Sequence, residues 1–577
     1  MRTQSTANGA TGPTDWNATN WRSQNRVVRN LRQRIFRASR EGNQKKARSL
    51  QKLLLRSHAN VLLSVRRVTQ DNEGKNTPGV DRLVVQTPEA RGKLVDDLSS
   101  HQVWRASPVR RVYIPKAKGN LRPLGIPTVR DRCLQAVVKN ALEPEWEAQF
   151  ERNSYGFRPG RGCHDAIEAT YSLLNKGKLV WILDADIRGA FDNIDHNRLL
   201  SQLGQFPARE LVKQWLKAGY MEDNVEQRTE RGTPQGGVVS PLLANIALHG
   251  MEKALGIVWA PRQSKEGRPE LKARRMTPRS VIRYADDFIV CCESREDAER
   301  CQDILQGWLK ERGLSFSEEK TRIVHSSEGF DFLGFNIRHY TTHRTRSGKV
   351  LLIKPSKDAV RTIKAKLREM WRTSHSQRVD VLIGRLNRLI RGWSNYYRHA
   401  CSAVIFKALD HYMLQLALRW TKQRHPNFLV KRRVRMYFGP FRKGNCDRWV
   451  FGNKDTGSHV LKFNWVPIRR HVKVMGPASP DDARLRSYWE DRRRKHTTAS
   501  SKVRHVAYVN GQRGKCPVCG ESLWNGEALH THHTVLDKAD PERENIRNQR
   551  VVHLYCHQQV HASRRSKVPE AARRLLA

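Results

Sequence analysis

The chain has 577 residues, with 106 Lys and Arg against 56 Asp and Glu, and therefore a formal net charge of +50. At roughly 100–200 residues per domain, this length allows about three to five domains, and a hydrophobic content of 38% excludes wholesale disorder. The positive excess predicts a polyanionic partner, with nucleic acid as the leading candidate and a ribosome-associated or membrane-surface protein as the alternative.

The sequence also bears on the compartment. It has no apolar run of the roughly 18 residues that a membrane-spanning helix needs, and its opening segment lacks the apolar core of a secretory signal. Its ten cysteines do not show the spacing of a disulfide framework, which favours a reducing compartment. We therefore expect a protein without a membrane partner in the cytoplasm of a prokaryote, with an organelle as the alternative.

Helical periodicity begins after residue 20. Between Trp21 and Val68, apolar residues recur at helical spacing with Arg and Lys on the other faces, which predicts two basic amphipathic helices separated by Glu41-Gly42-Asn43. A solvated charged face is one interpretation, but a face with few acids has little internal pairing, so contact with phosphates is favoured. The apolar positions are Val28, Leu31, Ile35, Leu50, Leu53, Leu54, Val61 and Val65.

The remaining chain divides by periodicity and composition. Short β-like runs alternate with helical segments up to about residue 350, as in an α+β domain, and helices dominate beyond it. We predict five parts: a basic helical extension (1–75), an α+β domain (76–355), a helical domain (356–430), a basic region with a linker (431–505) and a small Cys/His-rich domain (506–577).

Two apolar runs of strand length end in carboxylates. The run 179–191 leads into Asp186, and the run 280–293 reads as a hairpin with Asp286 and Asp287 at its turn. Aspartates also favour solvated turns, but three carboxylates at neighbouring strand ends suit two Mg²⁺ ions about 3.5–4 Å apart. The sequence therefore predicts a two-metal site that activates a 3′-hydroxyl and stabilises a leaving pyrophosphate.

The residues around these carboxylates resemble the ordered blocks of group II intron-encoded reverse transcriptases. Tyr284-Ala285-Asp286-Asp287 is similar to the signature of reverse transcriptases, and the other blocks follow in the family's order across residues 76–350. The resemblance implies a multidomain α+β protein whose residues 76–355 form the fingers and palm of a right-hand polymerase. The blocks are RVYIPKAKGNLRPLGIPTVRDR (111–132), NSYGFRPGRGCHDAI (153–167), ADIRGAFDNIDH (185–196), RGTPQGGVVSPLLANI (231–246), GLSFSEEKTRIVH (313–325) and GFDFLGFNI (329–337).

The resemblance also implies roles for single residues. Asp186, Asp286 and Asp287 correspond to the metal-binding triad of the family. Lys320 falls where polymerases of this kind place a cation near the leaving pyrophosphate, and an exposed lysine at a helix end is an equal alternative. The nucleotide-binding positions are Lys116 and Arg122 on the triphosphate, Phe191 against the sugar, where it disfavours a 2′-hydroxyl, and Gln235 along the new base pair.

The segment LNRLIRGWSNYYRHA (386–400) resembles the maturase domain, also called domain X, which implies an α-helical thumb over residues 356–430. Its cations interleave with aromatic residues, so we predict RNA binding by Arg388, Arg391 and Arg398, with a purely structural helix as the alternative. Residues 431–505 correspond in position to the DNA-binding region of the family. FLGF (332–335) resembles the primer grip, and for its phenylalanines a core role fits equally well.

The C-terminal part holds a Cys/His cluster. CxxC followed by HxxC predicts a structural zinc site made of Cys516, Cys519, His553 and Cys556, since so small a domain buries little core. A redox CxxC is the alternative. The remaining residues resemble a ββα-metal HNH nuclease, which implies His533 as general base, Asn548 as its orienting partner, and His532, His557 and His561 as ligands of a divalent ion. The two sets can exchange a histidine, with His530 entering either.

Taken together, the resemblance implies a multifunctional group II intron protein. It would bind its own intron RNA, assist splicing, nick target DNA and extend the freed 3′-hydroxyl with dNTPs, which is the reaction series of retrohoming. Two alternatives remain: a reverse transcriptase of a defence or diversity system, and a splicing factor that has lost polymerisation. The intact triad of aspartates argues against the second.

Overall fold

The structure is a computed structural model. It describes residues 13–100, 104–115, 121–223, 225–261, 273–441, 447–500, 509, 511–534, 540, 542 and 545–565. Lys116, predicted to bind the triphosphate, lies outside the described residues.

Residues 21–66 form three helices rather than the two predicted: α1 (Trp21–Arg40), α2 (Gln44–Leu55) and α3 (His58–Arg66). The second predicted helix breaks at Arg56 and Ser57. Leu50 and Leu54 are buried on the inner face of α2, whereas Leu53 is half exposed. Asn43 begins α2 with a side-chain cap on the Lys46 amide. The three helices pack with α4 (Pro88–Ser99) and α5 (Val129–Glu147) in a core that continues into the palm.

A four-stranded sheet forms the fingers, in the order β2-β1-β4-β5. Its strands are β1 (Val109–Pro115), β2 (Leu121–Ile126), β4 (Tyr220–Glu222) and β5 (Val225–Gln227). β1 and β2 make an antiparallel hairpin in which Ile114 lies opposite Arg122. This hairpin carries Arg122 towards the palm.

The palm is an antiparallel sheet in the order β10-β3-β9-β8. Its strands are β3 (Trp181–Ala185), β8 (Ser280–Tyr284), β9 (Asp287–Cys292) and β10 (Arg322–His325). The predicted hairpin is therefore present, and its pairing sets Ala185 opposite Phe288 and Tyr284 opposite Asp287. Helices α6 (Cys163–Leu174) and α12 (Arg295–Lys310) pack on it.

Short elements join these layers. They are α7 (Ala190–Asn193), α8 (His196–Leu203), α9 (Arg209–Lys217), α10 (Ser240–Ala247), α11 (Met251–Ala254), β6 (Trp259–Pro261) and β7 (Ala273–Arg275).

A three-stranded sheet and a helical thumb follow the palm and share a second core with it. The strands, in the order β11-β12-β13, are β11 (Phe330–Phe332), β12 (Phe335–Thr341) and β13 (Lys349–Pro355). The helices are α13 (Lys357–Arg372), α14 (Val379–Tyr397), α15 (Ala403–Arg424) and α16 (Val430–Tyr437). A two-stranded sheet of β14 (Phe438–Gly439) and β15 (Val450–Phe451) closes this part.

Residues 466–492 form a strap that runs from the thumb across the palm to α1. On the thumb, the Arg469 amide bonds the Arg398 carbonyl at 2.9 Å. On the palm, the Val474 amide bonds Asp165 at 2.7 Å, and on α1, Arg32 pairs with Asp481 at 2.8 Å. The strap ends within the first turns of α17 (Arg486–Ser500), so much of the predicted linker is helical.

The C-terminal part has the strand, strand, helix order that the HNH resemblance implies. β16 (Leu529–His533) pairs antiparallel with β17 (Gln549–His553), and α18 (Leu554–Arg565) follows. Cys516 and Cys556 are buried in its small core. Across the described part of the chain, no helix combines the length and apolar character needed to cross a membrane.

Candidate active site

Three carboxylates meet at one edge of the palm sheet, as predicted. Asp186 follows β3, and Asp286 and Asp287 form the β8–β9 turn. The Asp287 carboxyl lies within hydrogen-bonding reach of Asp186. Asp287 stands at an exposed strand end, yet desolvation in the cleft and the charges of Asp286 and Asp186 raise its pKa to about 7. Such crowding of hard oxygen ligands fits divalent cations.

Lys320 places an ammonium group among these carboxylates. Its Nζ lies 2.6 Å from Asp186 Oδ2, and this hydrogen bond raises the pKa of Lys320. The loop before β10 holds it there, since the Ser317 amide bonds the Asp186 carbonyl at 2.8 Å. The side chain is exposed, which agrees with the alternative of a surface lysine. It nevertheless faces the carboxylates, which agrees with a cation placed near a leaving pyrophosphate.

A buried arginine supports the turn from beneath, and the sequence interpretation did not include it. Arg283 Nη1 donates to the Ala285 carbonyl at 3.1 Å and to Asn245 Oδ1 at 2.9 Å, while Asn245 Nδ2 donates to the Gly156 carbonyl at 2.8 Å. Ala285 has a left-handed φ of 59°, which costs an alanine energy unless its surroundings hold it. Burial lowers the pKa of Arg283 to about 10.

Gly156 lets the chain approach this turn closely. A Cβ at that position would lie 2.2 Å from the Ala285 amide nitrogen. The signal was present in the sequence, since Gly156 belongs to the block at 153–167, but the neighbour that excludes a side chain is 129 residues away.

Three predicted nucleotide-binding residues lie together beside the aspartates. Arg122 Nε donates to Gln235 Oε1 at 2.7 Å, and Gln235 Nε2 donates to Asp192 at 3.2 Å. Phe191 is buried, with its ring 6.1 Å from that of Phe157. A cavity of about 400 Å³ opens beside Phe191 and Gln235, a volume typical of a small-molecule site.

The FLGF segment connects palm and thumb. Phe332 and Phe335 are buried, which agrees with the predicted core role of these phenylalanines. Phe335 stacks on Tyr396 at 5.4 Å, and Tyr396 Oη donates to the Leu333 carbonyl at 2.9 Å. This turn is therefore positioned by α14.

The three predicted RNA-binding arginines differ in exposure. Arg388 and Arg391 are exposed on α14. Arg398 is buried, and its Nε donates to the Pro467 carbonyl at 3.2 Å. Its guanidinium thus holds the strap on the thumb, whereas Arg388 and Arg391 are open to solvent.

A second basic face on the thumb was missed. Four cations recur every three or four residues on α13 and lie beside Tyr412, whose hydroxyl accepts a bond from Arg368 Nε at 3.2 Å. The signal was their spacing, which places them on one helix face. They are Lys357, Arg361, Lys364 and Arg368.

The structure brings the predicted zinc ligands together. Ligand atoms of Cys516, Cys519, His553 and Cys556 all lie within 4.8 Å of one another. Hydrogen bonds from Cys556 and His553 lower the pKa of the Cys516 thiol, which favours the thiolate that zinc binds. Soft donors at these separations fit a tetrahedral zinc site.

The three histidines predicted to bind the nuclease metal also lie together, with ligand atoms of His532, His557 and His561 within 4.8 Å of one another. Burial, followed by the charges of the other histidines, lowers the pKa of His557 to about 4, so its imidazole is neutral and can accept a metal. The ring of His530 is 5.3 Å from that of His557, close to the set but not in it.

His533 ends β16 opposite Gln549. Asn548 lies next to this pair, and its carbonyl accepts the Thr534 amide at 2.9 Å. Its side-chain Nδ2 donates to the Glu542 carbonyl at 3.0 Å. The predicted base and its predicted partner are therefore on adjacent strand ends.

Three family models match the chain. They are described as reverse transcriptase (RNA-dependent DNA polymerase) over residues 114–337, N-terminal domain of reverse transcriptase over residues 16–98, and group II intron, maturase-specific domain over residues 360–438. Protein YkfC of Escherichia coli is 33% identical over 329 residues, which cover 51% of this chain and 83% of that protein. The chain belongs to the group II intron reverse transcriptase–maturase family.

The match to other relatives covers a smaller share of their length. Group II intron-encoded protein LtrA of Lactococcus lactis is 31% identical over 50% of this chain and 58% of LtrA. The putative COX1/OXI3 intron 2 protein of Saccharomyces cerevisiae is 30% identical over 43% and 34%. The relatives come from both bacteria and eukaryotes. They therefore do not decide between the predicted prokaryotic cytoplasm and the alternative of an organelle.

Among solved structures, telomerase from Candida albicans in complex with telomeric RNA is similar with a TM-score of 0.30 and 13% identity. The similarity covers 57% of this chain and 64% of the telomerase.

Proposed function

We propose that this protein is an RNA-directed DNA polymerase that also serves as the maturase of its own group II intron. The observation that carries the proposal is the meeting of Asp186, Asp286 and Asp287 at one sheet edge, beside a site with the predicted nucleotide ligands. The maturase-specific match on the following helices supports the second activity.

The residues of the palm would act as follows. Mg²⁺ ions, when held by the three carboxylates, supply the Lewis acidity that activates a primer 3′-hydroxyl and stabilises the leaving pyrophosphate. Lys320 adds a cation beside Asp186. Arg122, and by resemblance Lys116, hold the triphosphate of a dNTP as permanent cations. Phe191 packs against the sugar and disfavours a 2′-hydroxyl.

The thumb would bind the intron RNA. Arg388 and Arg391 are exposed on α14, and the basic face of α13 adds further cations beside Tyr412. Exposed cations with an aromatic neighbour suit a backbone of phosphates and stacked bases. The polyanionic partner predicted from charge is then the intron, in a ribonucleoprotein.

We further propose that residues 506–577 form a zinc-stabilised HNH endonuclease that nicks target DNA. Zinc, when bound by Cys516, Cys519, His553 and Cys556, would close the small domain. A divalent ion on His532, His557 and His561 would supply Lewis acidity for phosphodiester cleavage. His533 would accept the proton of the attacking water. The nicked 3′-hydroxyl then primes cDNA synthesis, which completes retrohoming.

The polymerase proposal is tested by the substitution Asp286→Ala. It removes a carboxylate that would hold Mg²⁺ but no RNA-facing cation, so Mg²⁺-dependent cDNA synthesis should disappear while the affinity for intron RNA stays nearly unchanged. Primer extension and RNA filter binding measure the two. The control Asp303→Ala changes an exposed aspartate of α12 and should retain both activities. Loss of both activities in Asp286→Ala would contradict the separation of roles.

The nuclease proposal is tested by His533→Ala. Without the imidazole that accepts a proton, second-strand nicking should stop, whereas splicing assistance and cDNA synthesis from an annealed primer persist. The control is His343→Ala, an exposed histidine between β12 and β13. Nicking at the wild-type rate by His533→Ala would show that another residue is the base.

A further inference from the structure

The C-terminal part is packed against the N-terminal helices. Arg66, the last residue of α3, has only 1% of its surface exposed. Its guanidinium lies between two rings, 4.5 Å from Trp21 of α1 and 4.3 Å from Tyr555 of α18. Nη2 also donates to Gln558 of α18. One arginine thus joins both helices to the end of α3.

Ionic contacts extend this junction along one face of α1. Arg22 pairs with Glu521 at 2.8 Å, and Asn25 donates to Glu527 at 3.4 Å. Arg29 lies 3.9 Å from Glu527. Three α1 residues at intervals of one helical turn therefore meet two acids of the C-terminal part.

The contacted residues adjoin the predicted metal ligands. Tyr555 precedes Cys556 in the chain, and the Glu521 carbonyl accepts the Cys516 amide at 2.9 Å. Glu527 Oε2 lies 3.9 Å from His553 Nδ1. The surface of the domain that meets α1 is thus built around its metal site.

The burial of Arg66 indicates that this contact persists. Among the described residues, its Nε and Nη1 make no hydrogen bond, and desolvation lowers its pKa. A buried charge is costly unless it is compensated. Here Asp71 Oδ2 lies 3.6 Å from Nε, and two aromatic faces add cation–π contacts, one of them supplied by α18. If the C-terminal part moved away, the guanidinium would lose that face and Gln558.

We propose that α1 and α3 are the docking platform of the C-terminal domain, so that its nuclease centre works from one fixed position relative to the polymerase aspartates. The functional half of this inference rests on the proposed nuclease activity, whereas the docking itself does not. Arg66 is the positioning residue of the arrangement. Fixed placement would deliver the nicked 3′-hydroxyl to the polymerase without release of the DNA.

Hydrogen exchange of the full-length protein tests the docking. Arg66→Ala should raise amide exchange in both α1 and α18, whereas Arg37→Ala, an exposed arginine of α1, should raise it in neither. A pair of charge reversals distinguishes loss of docking from misfolding. Arg22→Glu and Glu521→Arg should each raise amide hydrogen exchange at the junction, and the double variant should restore protection. Unchanged exchange in α18 for Arg66→Ala, or no restoration by the double variant, would overturn the docking.

The positioning role is tested with the ribonucleoprotein and a DNA target. Arg66→Ala should extend an annealed primer on free RNA template as the wild type does, but cDNA started from its own nick should fall by about tenfold or more, as expected when reacting groups are misplaced. Equal nick-primed synthesis would overturn the role. Retained protection in a wild-type protein that nicks no DNA would support the docking and overturn only the nuclease assignment.

Discussion

The three aspartates at the edge of the palm sheet show how far single positions could be predicted from the sequence. Asp186, Asp286 and Asp287 were predictable because each follows or begins an apolar run of strand length, and antiparallel pairing of β3 with β9 brings those ends together. Arg283 was not predictable as the support of the turn. Its hydrogen bonds to Ala285 and Asn245 depend on side-chain direction beneath the sheet, which no local pattern encodes.

Close packing beneath the turn makes Gly156→Ala a sharp test at this scale. The added Cβ would lie 2.2 Å from the Ala285 amide nitrogen, and backbone cannot yield as a flexible side chain does, so we expect destabilisation of at least ~1–3 kcal/mol and loss of cDNA synthesis. Thermal unfolding and primer extension measure these effects.

The matched control is Gly307→Ala in α12, where a Cβ meets no heavy atom within 4 Å. It should be neutral or stabilising by up to ~1 kcal/mol, because alanine favours a helix interior. Full activity and unchanged stability in Gly156→Ala would show that the turn can move away from residue 156.

At the scale of elements, the prediction succeeded where periodicity is local and failed where contacts are distant. The palm hairpin and the thumb helices were readable from apolar spacing, whereas the ββα order was implied only by the HNH resemblance. The break between α2 and α3 was not, since apolar residues continue across it, and the helix α17 was masked by a composition typical of linkers. The strap could not be predicted, because the sequence does not show that residues 466–492 contact Asp165 and α1.

The strap gives a prediction of its own. Asp165 is buried and accepts bonds from His471 at 3.0 Å, the Val474 amide at 2.7 Å and Arg492 at 3.0 Å. Asp165→Ala leaves Arg492 without its buried counter-charge, which we expect to cost about 3–5 kcal/mol. Limited proteolysis should then cut within residues 466–492, where the wild type resists.

An exposed aspartate serves as the comparison. Asp358 pairs with Arg361 on the surface of α13, and its replacement by alanine should cost no more than ~1 kcal/mol and leave the strap resistant. A strap that stays protected in Asp165→Ala would mean that its other contacts suffice to hold it.

At the scale of the whole molecule, the net charge of +50 divides between internal and external uses. Arg32 and Arg40 of α1 are engaged by Asp481 and Asp482, so part of the basic face predicted to meet phosphates instead holds the strap. Most cations of the two thumb faces remain exposed, namely Lys357, Arg361 and Arg368 of α13 and Arg388 and Arg391 of α14. Charge alone predicted a polyanion, and the structure indicates which surfaces can bind it.

These long-range pairs explain why the assembly of the parts could not be predicted. Each part had a motif, but Arg66 and Tyr555 are 489 residues apart, and neither has a local signature that names the other. Domain arrangement depends on such pairs, whereas chemistry depends on short motifs. The family was therefore more readable from this sequence than the arrangement of its parts.

If this protein is the maturase of its own intron, that intron should copurify with it. The most direct test is to purify the expressed protein with its associated RNA and sequence that RNA. We expect strong enrichment of an intron that contains the reading frame of this protein. A heterogeneous RNA population without that intron would contradict the proposed maturase function.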